Sequence, residues 1–121
     1  MTPFDDLHEL APNVIWDGVI GRSLHGAEAT LSAIELEPDT LVPEHAHVNE
    51  QIGILTGGSL TFRIGDEERA LRPGGTWVIP ANTPHSVRSG PDGATLIEVF
   101  APPRTDWAGH ERLPPSAPRG F

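Results

Sequence analysis

The sequence predicts an all-β fold, a sandwich or a small barrel. Thirteen glycines and thirteen prolines in 121 residues put a turn former at short intervals. Between them lie short runs rich in Val, Ile, Leu, Thr and Phe, giving about nine strands at a spacing of roughly eight to ten residues. No stretch carries a convincing helical period. At this length the chain is read as one domain with a core large enough to stand without disulfides.

Residues 1–13 hold few apolar positions and two early acids, Asp5 and Asp6, and are read as an N-terminal arm or a short turn of helix. Residues 14–104 form the expected barrel. Val14 to Leu24 has the β-branched character of a first strand, with Gly18 and Gly21 as a bend or bulge and His25-Gly26 as its end. Ala27 to Leu36 alternates as a second strand, and Glu37-Pro38-Asp39 makes a turn. A histidine-bearing strand follows and continues through Gln51 to Thr56, where Gly57-Gly58 signals a hairpin. Ser59–Ile64 returns, Gly65-Asp66 turns again, and Glu67–Leu71 ends at the tight turn Arg72-Pro73-Gly74-Gly75. Thr76–Ile79 is a short apolar strand, and the rigid loop Pro80–Pro84 delivers His85. Ser86–Arg88, a turn at Gly90-Pro91-Asp92-Gly93 and a last strong strand, Ala94–Phe100, complete the barrel. Residues 105–121 are proline-rich and aperiodic, a tail read as irregular or pinned on a neighbour.

Seventeen acidic against eight basic residues give a formal charge of −9. Binding to a phosphate backbone needs a positive field, so nucleic acid is excluded as the expected partner. An acidic small molecule would need a local positive site, such as a metal ion with an arginine or two. With no cysteine, disulfides, thiolate metal sites and thiol nucleophiles are all excluded. The start of the chain lacks a basic n-region and an apolar h-region, and no apolar run reaches membrane-spanning length. A soluble cytoplasmic protein with no membrane partner is expected.

The chemistry-bearing stretch is PEHAHVNEQIGILTGG, residues 43–58. Alternate residues of a strand share a face roughly 6 to 7 Å apart, so His45 and His47 can converge on one ion. His85 lies 38 positions further on, in VIPANTPHSV. With Gln51 these three histidines form a candidate metal shell. Glu50 is the rival carboxylate, but an uninterrupted strand points it away from the histidines. His8, His25 and His110 have no partner spacing and are read as surface or packing residues.

These residues resemble the two motifs of the cupins, double-stranded β-helix (jelly-roll) barrels that hold a metal in the mouth. The first motif runs H-x-H, three or four residues, Glu, six residues, Gly, and here reads His45, His47, Gln51, Gly58. The second runs Gly, five residues, P-x-G, two residues, His, three residues, Asn, and here reads Gly74, Pro80, Asn82, His85, Ser89. Gln51, Asn82 and Ser89 depart from the usual Glu, Gly and Asn. Within the cupins, HAHVNEQ, IPANTPH and EVFAPPRTDW are similar to the KdgF-type pectin-degradation proteins, which open the ring of 4,5-unsaturated uronates. That resemblance implies reaction-site roles for Glu98, Phe100 and Arg104, with Glu98 in place of the expected Asp, and a homodimer paired through exchanged edge strands.

Three neutral imidazoles and a neutral amide leave a divalent ion's charge uncompensated. At ~5 Å and an effective dielectric of ~20, the unit of charge that glutamate would have cancelled is on the order of 3 kcal/mol towards a bound anion. The site therefore suits Lewis-acid work on a small anionic substrate better than stabilising an oxidised metal. Zn, Ni, Fe and Mn all remain open as the divalent ion. Periodicity alone allows Glu98 to face the cavity with Leu96 and Phe100, or solvent with Ile97 and Val99 inward. The resemblance favours the first, with Glu98 as acid/base. Arg104, set by two prolines, is suited to gripping a carboxylate or to pairing with Asp106 or Glu111. The function expected is a metal-dependent uronate isomerase, with an iron dioxygenase or a non-catalytic ligand-binding cupin as alternatives.

Overall fold

The computed structural model describes residues 2–121. Eight strands are formed: β1 (Asn13–Trp16), β2 (Val19–His25), β3 (Thr30–Leu36), β4 (Leu41–His45), β5 (Glu50–Ile64), β6 (Glu67–Leu71), β7 (Thr76–Ile79) and β8 (His85–Ala101). Short 3-10 turns lie at Leu7–Glu9 and Thr105–Gly109. Among the described residues, no helix is long and apolar enough to cross a membrane.

All ladders are antiparallel, and β5 and β8 run beside each other from Glu50↔Ala101 to Ile64↔His85. The second half of β8 also pairs with β3, and the first half of β5 with β7. Together with β1 and β2 they make a front sheet. The first half of β8 pairs with β4, and the second half of β5 with β6, making a back sheet. Two long strands thus pass from one sheet to the other and close the all-β jelly roll. Leu55, Leu60, Phe62, Ile79, Leu96 and Phe100 fill the space between the sheets.

Gly57-Gly58, expected as a hairpin, is not one, and Gly90–Gly93, expected as a turn between two strands, does not separate strands. They are the corners of β5 and β8, with the register broken between Leu55 and Gly57 and between Gly58 and Leu60. A Cβ on Gly58 would sit 2.0 Å from the Gly93 carbonyl oxygen, so the two bends pack backbone against backbone and only glycine fits. The corner also switches side-chain parity: Gln51, Gly53 and Leu55 are buried before it, Leu60 and Phe62 after it. Each corner thus joins two expected strands into one.

Three other boundaries differ. Val14–Leu24 is two strands joined at Asp17-Gly18, where Gly18 takes φ +82°. The second expected strand begins at Thr30 rather than Ala27. The histidine strand is interrupted: His45 ends β4, and His47 sits in the connection to β5.

The C-terminal segment lies against the barrel. Trp107 is 2% exposed within the core, and Leu113 N donates to the Pro12 carbonyl beside the Asn13↔Arg112 bridge. Arg22 is buried, pairs with Glu35, and donates from Nε and Nη2 to Ser116 O and Oγ at 3.0 and 2.8 Å. Arg119 Nε closes the cluster on Glu35 at 2.9 Å. Removing one partner of a buried pair leaves an uncompensated charge, so Glu35→Gln is expected to cost about 3–5 kcal/mol in a urea unfolding experiment. Burial raises the Glu35 carboxyl, but hydrogen bonds from Arg119 and Arg22 more than offset it and hold the group below its ordinary 4.5. The folded value is the lower one, so the stabilisation is complete above the unfolded-state value. It is lost as pH falls through the folded one.

Candidate metal centre

His45 comes from the end of β4, His85 from the start of β8, and the two are register partners. His47 is carried by the β4–β5 connection. The ring nitrogens of all three lie within 4.8 Å of one another. Strand parity therefore does not assemble the site, as the sequence pattern suggested; a strand end, a loop and a neighbouring strand do. Glu50 is exposed and Gln51 buried, as expected, because β5 restarts at Glu50.

Each imidazole is held through Nδ1 by a backbone carbonyl two residues away. His45 donates to Pro43 O at 2.8 Å, His47 to Asn49 O at 3.0 Å and His85 to Thr83 O at 2.8 Å. A neutral imidazole protonated on Nδ1 presents its lone pair on Nε2, the form a metal takes. Burial lowers the His85 ring to about 4, and lowers His47 with further help from Arg104, so both stay neutral near pH 7.

Gln51 occupies the next position around the cluster. Its Nε2 donates to Glu98 Oε2, which fixes the amide so that Oε1 faces His47 Nε2 at 3.1 Å. Two lone pairs then face each other. His85 Nε2 is buried without any hydrogen-bond partner among the described residues. Converging acceptors and an orphaned nitrogen are repulsive or costly alone and are satisfied together by a cation, so this donor set fits a divalent metal.

Behind Gln51, Glu98 is 5% exposed and faces inward with Leu96 and Phe100. Burial pushes its carboxyl up to about 7, against hydrogen bonds from Gln51 and Trp77 and the charge of Arg104. Trp77 Nε1 donates to the same Oε2 at 2.8 Å. Nothing in the sequence pattern marks Trp77 as a site residue. Its reach depends on a cross-strand row in which Gly53 pairs with Trp77 on one side and Glu98 on the other. A Cβ on Gly53 would lie 2.4 Å from the indole, so the glycine is the notch over which the ring lies. Gly53→Ala is expected to displace Trp77 and destabilise the fold by about 1–3 kcal/mol, read as a lower urea midpoint.

Arg104 is 12% exposed and forms a two-point ion pair with Asp106, Nε–Oδ1 3.1 Å and Nη2–Oδ2 3.0 Å. Its guanidinium lies 5.0 Å from the Phe100 ring centre and 4.4 Å from that of Trp107. Phe100, 2% exposed, also meets the His47 ring at 6.0 Å. Asn49, another residue the sequence reading passed over, is buried and donates to Pro102 O at 2.5 Å, tying the His47 loop to the segment before Arg104. The three histidines, Gln51, Glu98 and Arg104 line one cavity of about 90 Å³ whose other walls are apolar. That is small against the ~300–1,000 Å³ of pockets for drug-sized ligands.

The motif departures have local reasons. Asn82, where the motif has glycine, takes φ +60°, a conformation asparagine tolerates better than other side chains. Ser89 accepts from Thr40 N at 2.9 Å and donates to Glu37 O at 2.5 Å, anchoring the turn before β4.

Residues 32–100 match the family model described as "Cupin domain". The chain is 34% identical over 64 residues to "Pectin degradation protein KdgF" of Dickeya dadantii, covering 52% of this chain and 58% of that protein. It is 34% identical over 95 residues to "H2HPP isomerase" of Bacillus subtilis, covering 72% of this chain and 39% of that protein. The chain thus spans roughly half or less of the curated relatives it matches. Among solved structures, KdgF from Halomonas sp. superposes with a TM-score of 0.73 at 23% identity, covering 78% of this chain and 88% of that one, a likeness of fold. More than half of the chain falls under the family model, both motif regions lie inside it, and the jelly roll places their histidines together: the chain belongs to the cupin family.

Proposed function

We propose that this cupin is a metal-dependent isomerase that opens the ring of 4,5-unsaturated uronates to the 4-deoxy-5-keto form. The observation that carries it is the Gln51 amide, which joins the histidine cluster on one side to the buried Glu98 carboxyl on the other. The curated relative of Dickeya dadantii, named for pectin degradation, supports the substrate class.

His45, His47, His85 and Gln51 would hold a divalent ion, which would supply Lewis-acid stabilisation to the enolate oxygen of the opening ring. The reaction moves one proton. The anomeric hydroxyl loses its proton, the bond from C1 to the ring oxygen breaks, and the electron pair passes through the enol ether to leave a ketone at C5 and a new C–H bond at C4. Both hydrogen bonds to Glu98 fall on Oε2, leaving Oε1 to take the hydroxyl proton and return it to C4. Arg104 has Nε and Nη2 occupied by Asp106, which sets the guanidinium plane; Nη1 is the group left for the substrate carboxylate.

The test follows the ultraviolet absorbance of the conjugated C4–C5 double bond. Metal-loaded protein is expected to abolish it faster than chelator-treated protein, with an aldehyde appearing in step. No acceleration by the loaded protein would sink the proposal. The longer match to an isomerase of Bacillus subtilis favours, as a second reading, isomerisation of another small molecule. A substrate panel on the same preparation separates the two.

A further inference from the structure

Two groups that face the cavity sit outside the ladders on either side of it. His47 lies in the β4–β5 connection and Arg104 beyond the end of β8, so sheet register does not set the distance between them. The last rung before both is Glu50↔Ala101. From it one segment leads back to His47. The other leads on to Arg104 through Pro102 and Pro103, whose rings have no N–H with which to continue a ladder. Asn49 stands one step past the rung and joins the two segments. Its Nδ2 donates to the Pro102 carbonyl at 2.5 Å and to the Pro103 carbonyl at 3.5 Å, and its own main-chain carbonyl accepts from His47 Nδ1 at 3.0 Å. One residue therefore orients a metal ligand through its backbone and fixes the approach to Arg104 through its side chain. Asn49 is 5% exposed, which keeps water from competing for these bonds. Past the clip, the Arg104 N–H donates to Thr30 Oγ1 at 2.9 Å, and Phe100 meets both the His47 ring, at 6.0 Å, and the Arg104 guanidinium, at 5.0 Å.

We propose that Asn49 is a positioning residue that sets the span between the histidine cluster and Arg104, and so makes the site select ligands carrying a carboxylate at a fixed distance from a metal-binding oxygen. The class of ligand rests on the function proposed above; the span rests on the clip. An ion and a guanidinium each attract any small anion, so neither discriminates by itself. Held at a fixed separation, they favour a ligand that bridges them, because no loop has to be ordered when it binds. An anion that meets one point gains nothing from the span. Asparagine suits the task, since its two Nδ2 protons serve two carbonyls from a single short arm. Serine in its place would bring one donor on a shorter arm, and alanine none.

The test uses the cobalt(II)-loaded full chain and two ligands read by the visible absorbance of the ion. Azide needs the ion alone; galacturonate is a saturated uronate with no C4–C5 double bond to react. Asn49→Ala is expected to bind azide within about 2-fold of wild type but galacturonate about 10–100-fold more weakly, the contribution of a hydrogen bond to a charged group. A double-mutant cycle with Arg104→Ala separates positioning from packing. Arg104→Ala weakens galacturonate in the wild-type background and is expected to weaken it little further beside Asn49→Ala, because the grip it removes is already lost. If Asn49→Ala does not fold, Asn49→Ser carries the same comparison. Equal weakening of azide and galacturonate would overturn the proposal. So would a variant that keeps wild-type affinity for galacturonate, losses that simply add across the cycle, or a wild type that binds azide and not galacturonate. The isomerase reading stands or falls separately. A coupled cycle in a protein that leaves the unsaturated uronate intact keeps the span and removes the reaction, while additive losses in an active protein do the reverse.

Discussion

His85→Ala is expected to lose metal with an affinity drop of more than ~100-fold, beyond the ~10–100-fold typical of removing an outer hydrogen-bond partner of a ligand. His85 is 2% exposed, its Nδ1 is committed to Thr83 O, and its Nε2 is buried with no partner among the described residues. That nitrogen is held out of water in the protonation state that only a cation or a donor can satisfy. His45, by contrast, is exposed and can be partly replaced by water. The check is thermal unfolding with and without added metal. At a metal concentration about 100 times the dissociation constant the wild type gains ~2.7 kcal/mol, while the variant at the same concentration gains almost nothing. A variant that keeps one ion per chain at wild-type affinity would remove His85 from the ligand set.

The all-β class, the grouping of His45, His47 and His85 and the turn after Leu71 were legible because they rest on local signals: glycine and proline at turns, two short motifs, β-branched runs. Gly57-Gly58 was read as a hairpin and Gly90–Gly93 as a turn between separate strands because turns and corners use the same residues. What separates them is the contact between Gly58 and the Gly93 carbonyl, made across 35 positions of sequence. The corner also reverses which residues face inward, so alternation counted along β5 holds only up to Leu55. His47 fell outside any strand, yet its spacing to Gln51 still mattered, since a bend at Val48-Asn49 brings Nε2 to the amide. Trp77 was invisible as a site residue because its role passes through the missing side chain of Gly53. The tail reads as irregular, and its backbone is so outside the 3-10 turn Thr105–Gly109 and the Arg112 bridge, but pattern reading cannot show that Trp107 packs under Arg104.

Arg104 shows how the acidic chain builds a positive spot. Hydrogen bonds from its guanidinium hold the Asp106 carboxyl below its usual range, so the pair stays charged. Stacking on Phe100 and Trp107 then keeps the cation at the cavity wall instead of in solvent. A divalent ion held opposite by neutral imidazoles and an amide would make the net local field positive although the chain as a whole is acidic.

Glu98→Gln is expected to keep metal and fold while turnover falls by about 10²–10⁴-fold, the usual contribution of a positioned acid or base. The substituted amide oxygen can accept from Gln51 Nε2 and Trp77 Nε1 as the carboxylate oxygen does, so the orientation of Gln51 towards His47 is preserved. What is lost is the ability to carry a proton between two substrate atoms. Glu98→Ala is the harsher change, since it leaves two buried donors unpaired at ~1–3 kcal/mol each and releases the amide. Comparing the two separates the roles. If Glu98 moves the proton, both variants lose turnover and only Glu98→Ala also weakens metal binding. If Glu98 merely holds Gln51 in place, Glu98→Gln turns over at the wild-type rate, and the proton has to travel by another group.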